Sequence, residues 1–131
     1  ARQVAQELVA ETRALGRATR TAIARWPYAD LVALSACETG RGTLASAEGV
    51  LGLARAFLQS GAKSVLCSLW KVDDDATRAL MTRFYERWSP LEGPGVSAAA
   101  ALLDAQAYVR ADPRWVHPSF WAGWSLWGLP E

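Results

Sequence analysis

The sequence predicts an α/β domain built on a buried, mainly parallel sheet. Three observations carry this. Residues 31–36 and 63–70 are short apolar runs without polar alternation, as in strands buried on both faces. A segment with helical spacing lies between them, and strand, helix, strand over about forty residues is the span of a right-handed βαβ unit. Of the 131 residues, 51% are hydrophobic, enough for one domain with a single core.

Each element has its own signal. Residues 2–25 read as a helix: Val4, Leu8, Leu15, Ala18, Ala22 and Ile23 approximate one face, with Arg13, Arg17 and Arg20 on another. Pro27 stops it. Leu-Val-Ala-Leu-Ser-Ala at 31–36 is the first strand, and Cys37 stands at its C-terminal end. Gly40 and Gly42 make the following segment a loop. A helix from Ser46 to Gln59 buries Val50, Leu53, Ala54, Phe57 and Leu58, and Gly61 ends it. Residues 63–70 form the second strand. Asp73, Asp74 and Asp75 open the next helix, where carboxylates favour the positive end of the helix dipole. Ala76, Leu80, Met81, Phe84, Tyr85 and Trp88 line its inner side. A Pro- and Gly-rich loop at 89–95 leads to an Ala-rich helix at 96–110. Pro113 and Pro118 bracket a turn, and residues 119–127 read as a last strand rich in Trp.

Three strands are few for a sheet buried on both faces. The first would also expose an unpaired edge. The chain is therefore expected to be the later part of a larger domain, or a module completed by a partner. That it opens on Ala1 points to a fragment or a processed product. Residues 1–29 are taken as an N-terminal helix and linker, and residues 30–131 as the cysteine-bearing part.

Charge excludes several classes. The formal net charge is +1, and neither part of the chain is basic enough to argue for nucleic acid. No apolar run approaches the about 20 residues that span a bilayer, and no signal-peptide pattern is present. A cytoplasmic protein without membrane contact is expected. Arg and Ala are abundant and Asn is absent, which suggests a GC-rich bacterial coding bias. Cys37 and Cys67 have neither zinc spacing nor a disulfide framework around them. No metal, nucleotide or flavin is expected, and no cofactor.

A cysteine at the end of a buried strand, on a Gly-containing loop, suits a nucleophile. The loop lets backbone N–H groups turn toward an oxyanion, and loops at strand C-termini are where open α/β sheets place their sites. The residues alone also allow a structural free cysteine. Cys67 lies inside a strand and reads as core.

Four ordered segments carry a family resemblance. Leu-Ser-Ala-Cys-Glu-Thr-Gly at 34–40 resembles the catalytic-cysteine motif of CHAT domains, caspase-like domains often joined to tetratricopeptide arrays. Ala-Glu-Gly-Val-Leu-Gly-Leu-Ala-Arg-Ala-Phe at 47–57 and Gly-Ala-Lys-Ser-Val-Leu-Cys-Ser-Leu-Trp-Lys-Val-Asp-Asp at 61–74 follow in order. His-Pro-Ser-Phe-Trp-Ala-Gly-Trp at 117–124 is the last. The resemblance implies a three-layer α/β/α caspase-hemoglobinase fold, mainly parallel with an antiparallel last strand, incomplete in this chain. It also implies a cysteine endopeptidase with a His–Cys dyad, in which Cys37 attacks a peptide or protein substrate and the Gly40 loop faces the oxyanion. By the same resemblance Ser68, Leu69, Trp70 and Asp73 line the substrate cleft. Asp73 would then receive a basic side chain, or simply cap its helix.

The chain departs from the family in one respect. The family's catalytic His precedes the Cys in a His-Gly motif, and residues 1–36 contain no His. His117, the sole histidine, belongs to a different motif and reads as structural. The base is therefore expected upstream or on another chain. The alternative is a non-catalytic CHAT-like interaction or scaffold module.

Overall fold

The computed structural model describes residues 4–9, 30–36 and 47–128, with side chains described for 30–34 and 51–128. Four strands and three α-helices are present among them. They are β1 (Val4–Val9), β2 (Leu31–Ala36), α1 (Ala47–Gln59), β3 (Ser64–Ser68), α2 (Asp74–Trp88), α3 (Ala98–Arg110) and β4 (Trp124–Gly128). The chain divides into two compact units. One spans Arg2–Lys71 and Trp124–Pro130, the other Val72–Gly123.

The first unit is a four-stranded sheet in the order β1-β2-β3-β4 with α1 packed on it. β1 pairs parallel with β2, from Val4 opposite Leu31 to Val9 opposite Ala36. β2 pairs parallel with β3, Leu34 lying opposite Cys67. β4 is antiparallel to β3, from Ser64 opposite Gly128 to Ser68 opposite Trp124. Strand alternation sends Val32, Leu34, Val65 and Cys67 to one face. There they form a core with Leu53, Ala54 and Phe57 of α1. Leu31, Ala33 and Leu66, of opposite parity, are equally buried, so both faces of β2 and β3 are withdrawn from water. Gly61 ends the α1 turn with φ of 113°, a conformation that costs Gly little. Lys63 and Asp30, each just before a strand, form an ion pair of 3.1 Å at the amino ends of β3 and β2.

Residues 4–9 correct the expectation of a helix over 2–25; the rest of that helix falls outside the described residues. A lone helical periodicity in six residues is a weak preference. The ladder groups of β2 require a partner, and parallel pairing with Val4–Val9 supplies it. The last strand also starts later than expected. Pro118–Phe120 is a short 3₁₀ turn, and the strand begins only at Trp124.

The second unit is built on α2 and α3, which pack on each other. Ala76, Leu80, Phe84 and Trp88, spaced by four, form the buried side of α2. Ala98, Ala101, Leu102, Ala105 and Val109 form that of α3. Phe84 and Trp88 stack with centroids 6.0 Å apart. Arg83 Nε donates to Asp104 at 2.6 Å and holds that carboxylate below its ordinary pKa. Both groups are about one-third exposed, so solvent screens the pair and it adds little to stability.

The loop between these helices makes one sharp demand. A Cβ on Gly95 would overlap the Trp88 carbonyl oxygen, which is backbone and cannot yield. Gly95→Ala is expected to cost about 3 kcal/mol, the upper range of overpacking. Urea unfolding of the variant should show the loss as a lowered midpoint at constant slope.

Candidate active site at the ends of the parallel strands

β1, β2 and β3 run in one direction, so Val9, Ala36 and Ser68 end at a common edge of the sheet. β4 runs the other way, and its first residue, Trp124, pairs with Ser68 at that edge. Open α/β sheets bind ligands outside this carboxyl edge, where the loops leave the strands.

Cys37 follows Ala36 directly in the chain. Cys37 and Gly40 both lie outside the described residues. Ser68 ends β3 and is buried. Leu69, next along, packs partly buried against the core under α1. Trp70 is 39% exposed, a large aromatic surface two residues beyond the strand end. Asp73 belongs to the other unit and caps α2. Its carboxylate accepts the Ala76 N–H at 3.0 Å and its carbonyl accepts the Thr77 N–H at 2.9 Å. The contacts of Asp73 are those of a helix cap.

Two other polar groups of the sequence reading find structural roles. Cys67 is fully buried in the core under α1, and burial pushes its thiol up to about 11. It is protonated and inert near neutral pH. His117 is exposed and caps the Pro118–Phe120 turn. Its Nδ1 accepts the Ser119 N–H at 3.1 Å and lies 2.9 Å from Ser119 Oγ. Trp124 is the residue of this edge that the sequence reading missed. The available signal was its position as the last residue of the 117–124 segment, just where the final strand starts.

These features define an α/β protein with a mainly parallel sheet. Separase, in the crystal structure of the Saccharomyces cerevisiae separase–securin complex, superposes with a TM-score of 0.59 at 13% identity. The match covers 98% of this chain and 12% of that one, and the likeness is one of fold. The chain belongs to the CHAT domain family, whose model matches residues 6–128. Tetratricopeptide repeat protein 28 of Mus musculus is 39% identical over 98 residues, 75% of this chain and 4% of that protein. Its Homo sapiens counterpart is 43% identical over 83 residues, 63% of this chain and 3% of that protein. The chain thus spans only a few per cent of these relatives. Both are mammalian, which does not fit the bacterial source suggested by composition. Among the described residues, no helix is long and apolar enough to cross a membrane.

Proposed function

We propose that this chain carries the nucleophile-bearing part of a CHAT-type cysteine endopeptidase. The observation that supports it most is the shared edge: β2 delivers its end, one residue before Cys37, beside the ends of β1 and β3. A histidine outside these 131 residues takes the Cys37 proton, since the sole imidazole here, His117, is committed to its own turn. The thiolate adds to the scissile carbonyl carbon. Backbone N–H groups of the loop containing Gly40 receive the resulting oxyanion. Collapse of the adduct expels the amine, which takes the proton back from the imidazolium, and water then hydrolyses the thioester. An extended peptide pairs with the backbone around Ser68, Leu69 and Trp70, in the manner of strand addition.

The names of the relatives support tetratricopeptide repeats as neighbours or partners of the segment. The reading takes a cytoplasmic setting, where the Cys37 and Cys67 thiols stay reduced. A non-catalytic CHAT-like interaction or scaffold module is the alternative reading.

The test is a peptide library presented to the complete protein, together with a peptidyl chloromethyl ketone as a covalent probe. Cleavage and labelling of Cys37 are expected. A folded protein that cleaves nothing and leaves Cys37 unlabelled is the interaction module instead. The same library examines Asp73. If its carboxylate receives a basic side chain, Asp73→Asn lowers kcat/KM for basic peptides by about 2–4 kcal/mol in transition-state terms. If it only caps α2, preference is unchanged and stability falls by at most about 1 kcal/mol.

A further inference from the structure

Sideways, the sheet ends at β4. The strand order β1-β2-β3-β4 makes β4 a lateral edge, with β3 as its one partner strand among the described residues. Its outer row of N–H and C=O groups is a template for another strand. Native sheets guard such edges with charges, Pro or a bulge. β4 reads Trp-Ser-Leu-Trp-Gly, with no charge and no Pro, and all five residues pair with β3 in unbroken register. Trp127 lies opposite Val65, on the face that α1 covers, yet it is 45% exposed. Gly128 beside it is also exposed. Unguarded backbone and a bared indole thus coincide on one short strand.

We propose that β4 pairs antiparallel with β4 of a second copy of this chain, joining two sheets into one about a two-fold axis through Leu126. The pairing is independent of the chemistry at Cys37. A two-fold axis normal to a sheet keeps each face on its own side. Residues that pair must then have the same parity, and the axis has to pass through a residue. Centred on Leu126, it pairs all five residues of β4 with the second copy. Trp124 falls opposite Gly128 of the second copy, Ser125 opposite Trp127, and Leu126 opposite its own counterpart. Each indole therefore meets a residue with little or no side chain. Gly128 is held as Gly by its own strand pair, since φ is 137° and a Cβ there would meet the Lys63 carbonyl oxygen. Moving the axis by one residue either way shortens the paired stretch from five residues to three. No charge faces another across the seam. The hydrogen bonds are main-chain, so the backbone supplies affinity and the large-against-small pattern supplies register. A seam of five residues is small, and the dimer it makes has a dissociation constant in the micromolar range.

The test uses the complete protein in analytical ultracentrifugation. The parent should pass from monomer to dimer over the micromolar range. Trp127→Lys should raise the dissociation constant at least about tenfold, because each copy loses a buried indole and gains a charge at the seam. Its unfolding midpoint shows whether it is folded. Cross-linking gives a second readout that does not depend on that variant. In a Cys37→Ala background, Leu126→Cys places a thiol on the axis, where paired Cα atoms lie about 4.5–5.5 Å apart, within disulfide reach. Ser125→Cys is the control. Its counterpart is two residues along and one strand across, about 8 Å away and out of reach. Mild oxidation should link the Leu126→Cys protein into dimers and leave the Ser125→Cys protein unlinked. A protein that stays monomeric throughout the range overturns the proposal. So does a dimer that Trp127→Lys leaves intact, or one in which both cysteine variants cross-link alike, since its seam lies elsewhere.

Discussion

Cys37→Ala is expected to abolish peptide cleavage by the complete enzyme, lowering kcat/KM by at least about a thousandfold. The size follows from chemistry. Without the thiolate there is no acyl-enzyme, and oxyanion contacts and binding alone sustain only a small residue of the rate. Cys67→Ala is the internal control. Cys67 is packed between Leu34 and the α1 core, and its thiol is pushed up to about 11, so it offers no thiolate near neutral pH. Its replacement should cost about 1 kcal/mol of stability through a small cavity and leave kcat/KM unchanged. Circular dichroism and unfolding midpoints show whether Cys37→Ala is folded, and kinetics on one good peptide decide the rest. Activity in Cys37→Ala equal to that of the parent enzyme would remove Cys37 from the mechanism.

What the sequence made legible, and what it hid, follows from the range of the interactions involved. β2, α1 and β3 are locally specified. Apolar runs without alternation give the strands, Phe57 and its helical neighbours give the packed face, and Gly61 gives the stop. The start of α2 is also local, because the Asp73 cap acts on an N–H three residues away. β1 was hidden because Val4–Val9 holds Gln6 and Glu7 among its apolar residues and becomes a strand only by pairing with β2, more than twenty residues later. The late start of β4 was hidden by a short range of a different kind, the His117 cap and the turn it stabilises before Trp124. At the site, the motif around Cys37 was legible as a resemblance. The place of Trp124 beside Ser68 was not, because it depends on the antiparallel register of β3 with β4.

In the 131-residue chain alone, alkylation of Cys37 should follow an ordinary thiol, with a midpoint near about pH 8.5, and peptide turnover should be absent. The thiolate is the nucleophile, so the alkylation rate tracks its fraction. At pH 6 an unperturbed thiol is about 0.3% ionised. The sole imidazole caps a turn through Nδ1, so no imidazole of these 131 residues is assigned to raise that fraction. Cys67 should remain unmodified until pH approaches about 11, which separates the two thiols in one titration. Supplying the histidine-bearing part should move the Cys37 wave down by two units or more, because an adjacent imidazolium stabilises the thiolate. Alkylation at pH 6 would then accelerate up to about a hundredfold, less the lower intrinsic nucleophilicity of a more acidic thiol. Peptide-level mass spectrometry of iodoacetamide-treated protein across pH 5–10 measures both cysteines at once. A Cys37 midpoint near pH 6 in the isolated chain, with steady peptide turnover, would place the base among these 131 residues, at His117 or another group that accepts the Cys37 proton.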